Sequence, residues 1–485
     1  MAQEEKQTLS RRYITGKETM SYVLFDSSKN FNINEFQTRF VINVLKLDLA
    51  WNSIIGFING IWDVINDVLL GGLIDKTNTR WGKFRPYLVA YAIPGTLMGI
   101  LYWASPLFLS KDPLDPVKIG FWLALAMVQE TFGTVRDISE TGLLSNLTPS
   151  PDDRVRLYTM AEVISSIWES IPQILMGILI DLVNHNKVTF GLEKTYVSMG
   201  VVTTAMCGLL ALFFALFSKE RIAQSPEKHN YLEGLRTILH NKPMLLIMIS
   251  EFFAGFSVAT WEHNYYIDVL GSESLRNVVI IPGAPLSFLS YGYINKVREV
   301  FPIKFLWILG QHLKDVCSLV IFAVGSIGGR GPAGVYQKPG PMVALLMGRD
   351  ILYKGTLSVN KIIPKEVLLD ALDYCEWKNG FRSEGTTLAV KSMAAKIVRN
   401  IVNSLSTAVM KATGYDLNAG FGKQTDASKY ALFAMCMLFP AAAGILGAVP
   451  KLFYDLSGEK RARMYAELEE MRRLRSEAYL NVEND

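Results

Sequence analysis

VVTTAMCGLLALFFALF, residues 201–217, holds no charged side chain from end to end. Two further runs share its character: Met244 to Ile249 continued from Phe252, and Ala431 to Val449. Apolar stretches of roughly 18 or more residues are long enough to cross a bilayer as a helix. The rest of the chain agrees. Of 485 residues, 50% are hydrophobic and 19% charged, below the roughly 25% charge of soluble domains and unlike the composition of disordered chains. About a dozen spans of roughly 20 residues would use more than half the length. The sequence reads as an all-α polytopic membrane protein. A net charge of +4 argues against a nucleic-acid partner. Cys207, Cys317, Cys375 and Cys436 lack C-x-x-C spacing, which points to reduced thiols rather than disulfides or a metal signature. Met1 to Lys17 is polar and without the apolar core of a signal peptide, so the first span is expected to stay in the mature chain.

Hydropathy places spans near 20–46, 50–74, 87–109, 118–147, 157–182, 196–218, 243–269, 275–295, 302–325, 341–364, 384–413 and 428–456. Breakers separate them, among them Ser105-Pro106, Pro149-Ser150-Pro151 and the Gly- and Pro-rich Gly325 to Pro341. The longest polar connection, Ser218 to Pro243, divides the spans six and six. The expected organisation is a terminus at 1–19, a six-helix bundle at 20–218, a central loop at 219–242, a second bundle at 243–456 and a tail at 457–485. Lys and Arg crowd one set of span ends, including Arg80, Lys83, Arg85, Arg154, Arg156, Lys296, Arg298 and the tail. That face and both termini are assigned to the cytoplasmic side of a cell (inner) membrane. The tail from Tyr454 to Ala478 reads as a charged helix, solvated or lying on the membrane surface.

Ionisable side chains inside spans cost roughly 2.5–3.5 kcal/mol each on insertion scales, so each needs a reason. In the first span Asp26, Lys29, Asn30, Asn34 and Gln37 recur at helical spacing, and Glu35 and Arg39 form an i, i+4 pair. Such a helix is tolerable lining a wet cavity. In the second span Asp63, Asn66 and Asp67 share a face. The fourth carries Glu130, Thr134, Asp137 and Thr141 as a stripe, beside an Arg136–Glu140 i, i+4 pair. Clustered oxygens suit a hard cation, and crowded carboxylates suit a proton. Asp63, Asn66, Asp67, Thr134 and Asp137 are therefore the candidate coupling-ion site; structural ion pairs with Lys29 or Arg136 are the competing reading. The fifth span adds Glu162, Ser165, Ser166 and Glu169, with Pro172 as a kink. The second half is basic, with Arg349, Lys354, Lys391, Lys396 and Arg399 inside or beside spans. A cation in one half with an anionic substrate between the halves, or mutual neutralisation, both fit that asymmetry.

Asp63-x-x-Asn66-Asp67-x-x-x-Gly71, followed by Asp75-Lys76-Thr77-x-Thr79-Arg80-Trp81-Gly82-Lys83-x-Arg85-Pro86, closely resembles the glycoside–pentoside–hexuronide:cation symporters. These are a melibiose permease-like branch of the major facilitator superfamily. Pro151-Asp152-Asp153-Arg154 and Asp373-Tyr374-x-Glu376-Trp377-Lys378-x-Gly380-x-Arg382-x-Glu384-Gly385 support the resemblance, the latter read as a loop before span eleven.

The resemblance implies twelve helices in two pseudo-symmetric bundles with alternating access around a midplane site. It also implies a cation (Na⁺ or H⁺) at Asp63, Asn66, Asp67, Thr134 and Asp137, with Na⁺ on the three carboxylates, and a lysine near it at Lys396. Asp75, Arg80, Lys83 and Arg85 would belong to a gating loop. The pattern departs from melibiose-type members at the sugar site. Asn30, preceded by Lys29, stands for an aspartate; Glu162 stands for an arginine; Glu140-Thr141 replaces an aromatic. Substrate candidates are Lys29, Asn30, Asp137, Thr141, Glu162, Lys396 and Arg399, and the cargo is a sugar or glycoside, anionic such as a glucuronide. The chain is expected to be a monomer in lipid, with no catalytic residues and no cofactor beyond the coupling ion. Three alternatives stand beside this, one of them a substrate-sensing receptor that no longer transports. A lysolipid or amphiphile carrier keeps the fold, while an intramembrane prenyltransferase would need further aspartates where Gly71 stands.

Overall fold

The computed structural model describes residues 14–75, 77, 79–147, 151–220, 241–256, 261–379 and 384–482. Among them the regular structure is helical, apart from an isolated bridge between Thr79 and Gly82. The chain forms two compact units. One is Met1–Glu227 with Ser272–Ser274 and Asn403–Lys423; the other is Lys228–Gly271, Leu275–Val402 and Gln424–Asp485.

The first unit contains α1 (Gly16–Asn30), α2 (Leu49–Asp75), α3 (Arg85–Leu107), α4 (Pro116–Leu147), α5 (Pro151–Asn184) and α6 (Leu192–Phe217). Thr15 and Glu18 start α1 with a reciprocal capping box, Glu18 N donating to Thr15 Oγ1 at 3.3 Å and Thr15 N to Glu18 Oε2 at 2.9 Å. The first span is not one helix: after Asn30 the backbone passes through a 3₁₀ turn, a single α-turn and a π turn ending at Val44. The stripe Asp26–Gln37 expected from helical spacing is therefore split, because the Asn32 side chain satisfies local backbone groups instead. Asn32 Nδ2 donates to Lys29 O at 2.8 Å, and Asn34 N donates to Asn32 Oδ1 at 2.8 Å. In α3 a π stretch at Tyr91–Gly95 surrounds Pro94, which has no N–H for the helical ladder.

Phe25, Ile74, Leu88, Leu143, Leu147 and Phe214 form the buried core of this unit. Phe40, Tyr102, Trp103, Trp122 and Tyr196 make an aromatic nest, with Phe40 and Trp103 centroids 4.7 Å apart and Tyr102 and Trp122 at 4.6 Å. A Cβ on Gly200 would lie 2.2 Å from Trp103 Cγ, so the glycine is what lets the indole rest against α6.

Seven helices among the described residues are long and apolar enough to cross a membrane, including Leu49–Ile74, Leu192–Phe217 and Asp426–Leu452. Among the expected spans outside that set is α4, which holds Lys118, Glu130, Arg136, Asp137 and Glu140.

The second unit contains α7 (Lys242–Gly255), α8 (Glu262–Asp268), α9 (Ser274–Ile280), α10 (Ala284–Val300), α11 (Ile303–Gly325), α12 (Pro339–Gly355), α13 (Leu357–Asn379), α15 (Asp426–Leu452) and α16 (Glu459–Val482). The long α14 (Glu384–Ala412) runs from this unit into the first. The span near 275–295 matches Ser274–Val300, with a turn before Ala284, where Pro285 starts the second helical piece. Two expectations are corrected here. The span near 341–364 ends at Gly355, and α13 carries the helix on to Asn379, so Asp373, Glu376 and Trp377 are helical rather than in a loop. The tail helix α16 is not merely solvated. Met464 and Leu468 are buried with Val367, Ala371 and Leu372 of α13. Tyr465 OH donates to Asp370 Oδ1 at 2.6 Å, and Trp377 Nε1 to Glu467 Oε2 at 2.7 Å.

Candidate functional site

The polar groups of the first unit gather where α2 faces α4. Residues three and four apart share a helix face, so Asp63, Asn66 and Asp67 project together; Asp63 is 4% and Asn66 2% exposed. Trp62 fastens the two helices, its Nε1 donating to Met127 O at 3.2 Å and Thr131 Oγ1 at 3.0 Å. One turn on, Thr134 Oγ1 donates to Asp67 Oδ1 at 3.1 Å. The Asn66 Nδ2 donor is buried without a hydrogen-bond partner.

Asp137 is placed differently. Its side chain is 63% exposed and pairs with Arg136 Nη2 at 2.8 Å. The expected Arg136–Glu140 pair gives way to a contact between helices, in which Glu140 Oε1 takes Lys29 Nζ at 2.7 Å. Lys29 also lies 3.1 Å from Asp26 Oδ1, and Asp26 Oδ2 accepts from Ser165 Oγ at 2.5 Å. α1, α4 and α5 are thus joined by a lysine held between two buried carboxylates. Among the described residues no three His, Cys, Asp or Glu side chains stand close enough to hold a metal ion. The donors around Asp67 are a mixture of carboxylate, amide and hydroxyl.

Beside this network lies a cavity of about 260 Å³, lined by Lys29, Asn32, Gln37, Asn59, Gln129 and Glu130 together with Tyr91, Tyr102, Thr96 and Arg136. Gln37 Nε2 donates to Tyr102 OH at 2.6 Å, and the Arg136 guanidinium lies 5.5 Å from the Tyr91 ring centroid. Asn59 Oδ1 and Thr96 Oγ1 are buried without hydrogen-bond partners. Asn59, Gln129 and Thr96 are polar residues inside spans, a signal that sequence reasoning passed over in favour of charged ones.

The remaining candidates divide. Asn30 is half-buried at the end of α1 and Thr141 is exposed. The side chains of Glu162 and Asp75 lie outside the described residues. Lys396 is half-buried and Arg399 exposed on the part of α14 that belongs to the second unit. In the loop after α2, Arg80 is exposed, while Lys83 N and Phe84 N donate to Glu220 at 2.8 and 2.9 Å. That places a carboxylate at the positive N-terminal end of α3. Arg85 binds the other end of a helix, its Nε donating to Ala215 O at 2.8 Å and Nη2 to Leu216 O at 3.1 Å at the close of α6. Gly82, at φ +104°, makes the approach possible: a Cβ there would meet the Glu220 carboxylate at 2.5 Å.

A family described as MFS/sugar transport protein matches residues 21–458. The chain belongs to that family. Its members are transporters, not enzymes, so this is a multi-pass membrane transporter of the major facilitator fold. Among curated relatives, the isoprimeverose transporter of Lactiplantibacillus pentosus is 24% identical over 491 residues, spanning 97% of this chain and 94% of its own. The glucuronide carrier protein homolog of Escherichia coli (strain K12) is 22% identical over 497 residues, spanning 99% of this chain and 100% of its own. The crystal structure of a D-xylose-proton symporter shares the fold with a TM-score of 0.52 at 16% identity, covering 90% of this chain and 95% of that one. The major-facilitator assignment thus rests on a match across nearly the whole chain. It agrees with the resemblance to glycoside–pentoside–hexuronide symporters carried by Asp63–Gly71 and the loop after it.

Proposed function

We propose that this family member is a symporter that moves a sugar or glycoside by alternating access, driven by Na⁺ or H⁺ at Asp63, Asn66, Asp67 and Thr134. The observation that carries this reading is the Thr134–Asp67 hydrogen bond, which brings α4 onto the buried Asp63–Asn66–Asp67 face of α2. Carboxylate, amide and hydroxyl oxygens are the donors a hard monovalent cation prefers. Asp137 completes the set when Arg136 releases it. The cation offsets the carboxylate charge, and binding of ion and sugar then favour each other by linkage.

The polar cavity beside Lys29 is the sugar pocket in this reading. Its volume of about 260 Å³ lies just below the roughly 300–1,000 Å³ of drug-sized ligand sites, which suits one sugar ring. Asn59 Oδ1 and Thr96 Oγ1 offer unspent acceptors and donors for ring hydroxyls. Lys29 and Arg136 on its wall favour a carboxylated sugar such as a glucuronide. Lys396 and Arg399 act from α14 in the same cycle, and both termini face the cytoplasm of a cell (inner) membrane.

The test is uptake into proteoliposomes of a neutral galactoside and of a glucuronide, each with and without an inward Na⁺ gradient at constant pH. Gradient-driven accumulation of the glucuronide, abolished in Asp67→Asn, is the expected result. Accumulation that survives Asp67→Asn removes the cation assignment; preference for the galactoside removes the anionic one.

A further inference from the structure

The second unit holds a buried polar chain that the transport reading above does not use. Gln311, His312 and Asp315 lie within five residues of one another on α11, and Lys451 lies on the last turn of α15. Lys451 is 0% and His312 5% exposed. Lys451 Nζ sits 2.7 Å from His312 Nε2, contacts Gln311 Oε1, and lies 4.9 Å from the Trp307 ring centroid. On the other side of the imidazole, Nδ1 lies 2.9 Å from Asp315 Oδ2. The carboxylate rests directly against α15, since a Cβ on Gly444 would fall 1.9 Å from Asp315 Oδ2.

With Lys451 as an ammonium, the donor inventory leaves one arrangement of protons. An ammonium only donates, so Nε2 facing Lys451 accepts; Nδ1 then carries the ring proton and gives it to the carboxylate. The chain Asp315⁻–His312–Lys451⁺ is neutral overall. A second ring proton cannot be added at Nε2 without setting two cationic donors 2.7 Å apart, unless Lys451 surrenders one of its own. The proton can therefore stand on Nζ with Nε2 bare, or pass to Nε2 and leave a neutral amine, with Asp315 stabilising the imidazolium.

We propose that His312 and Lys451 together form a one-proton binding site between α11 and α15, backed by Asp315. It is separate from the Asp67 cluster and stands whether or not that cluster binds a cation. Proton gain or loss there changes by one the charge of a helix contact otherwise closed to solvent. The charged groups around it are few and placed. From α7, Glu251 acts on Lys451 electrostatically and is itself paired with Lys391 of α14 at 3.0 Å. On α11, Lys314 neighbours Asp315 and looks toward Glu262 of α8 and Arg349 and Asp350 of α12. From α13 the contact with this stretch of α11 is an amide, Asn360 Nδ2 on Gly310 O at 2.8 Å.

NMR of the full-length protein in lipid nanodiscs, labelled with ¹⁵N-histidine, tests this without any sugar, and His312→Gln assigns the signal. In the wild type, Nδ1 is expected to carry the proton with Nε2 bare. In Lys451→Met, with the cation facing Nε2 gone, the doubly protonated ring should be more populated than in the wild type at the same pH. In Asp315→Asn the preference for the Nδ1–H form should disappear. A neutral wild-type ring that carries its proton on Nε2 rather than Nδ1, or one as doubly protonated as in Lys451→Met at the same pH, overturns the proposal. The wild-type spectrum decides the first point even if a variant fails to fold.

Discussion

Two polar interiors in this transporter handle their hydrogen bonds in opposite ways. Around the cavity of the first unit, Asn59 Oδ1, Thr96 Oγ1 and, on the neighbouring α2 face, Asn66 Nδ2 are buried without partners. Between α11 and α15 of the second unit, both ring nitrogens of His312 are engaged, one by Asp315 and one by Lys451. A buried polar group left unmatched costs about 1–3 kcal/mol, so the first arrangement is sensible where a ligand completes it. The second is complete in itself and has only a proton left to exchange. The Lys29 bridge shows that the first unit can also close a network fully when the purpose is to join helices.

The largest effect should come from cutting that bridge. Lys29→Met leaves Asp26 and Glu140, with side chains 12% and 8% exposed, facing each other without their cation. Stranding a buried charge costs about 3–5 kcal/mol, read as a lower thermal unfolding midpoint. Adding Glu140→Gln should recover part of the loss, and a double-mutant cycle showing no coupling between the two positions would mean that the bridge does not join α1 to α4.

A pair of glycines sharpens the comparison next. Gly200→Ala drives a methyl into the rigid Trp103 indole and should cost about 1–3 kcal/mol of stability. Gly444→Ala meets the Asp315 carboxylate, which can swing aside. Its midpoint should fall less, while the His312 ring loses its Nδ1–H preference. Equal losses of stability would erase the distinction between a packed wall and an adjustable site.

Asn66→Ala removes an amide whose Nδ2 has no partner, so stability should change by less than about 1 kcal/mol. Na⁺-driven uptake should nevertheless drop by about tenfold, the loss of roughly 1.4 kcal/mol of binding. Uptake unchanged in this variant would take Asn66 out of the proposed cation site.

The smallest effect belongs to an exposed group. Asp455 lies 3.0 Å from both Lys242 and Lys460 and is 42% exposed. Partial burial would raise its carboxyl, but hydrogen bonds from Lys460 and Lys242 outweigh that and hold it below the usual value of 3.8. A carboxyl depressed in the folded state adds stability that is present above the unfolded-state value and lost as pH falls through the folded one, here below about pH 3.8. The contribution should stay within the ~0.2–1 kcal/mol of exposed ion pairs, seen as a slightly flatter acid-side melting curve in Asp455→Asn.

Much of the architecture was legible because bilayer physics writes itself into composition. Spans such as 196–218 and 428–456 correspond to Leu192–Phe217 and Asp426–Leu452. The first span misled because Asp26, Lys29, Asn34 and Gln37 keep helical spacing while the Asn32 side chain binds Lys29 O and Asn34 N and turns the backbone between them. At the site, Asp63, Asn66 and Asp67 were readable from α2 alone, since i, i+3 and i+4 is a local geometry. The Lys29–Glu140 contact was not: its partners are 111 residues apart, and Arg136–Glu140 looked equally good on one helix.

By itself, then, the sequence determined what local periodicity and hydropathy can express: a membrane protein of many helices, the acidic face of α2 and the family signature around it. Tertiary structure alone decided which charges meet. It turned Arg136 to Asp137 and Glu140 to Lys29, laid α16 against α13, and brought Lys451 to His312 from a position 139 residues away. The reason is physical. A buried charge takes whichever partner the packed helices bring within reach of it, and that choice depends on helix–helix geometry that no single span encodes.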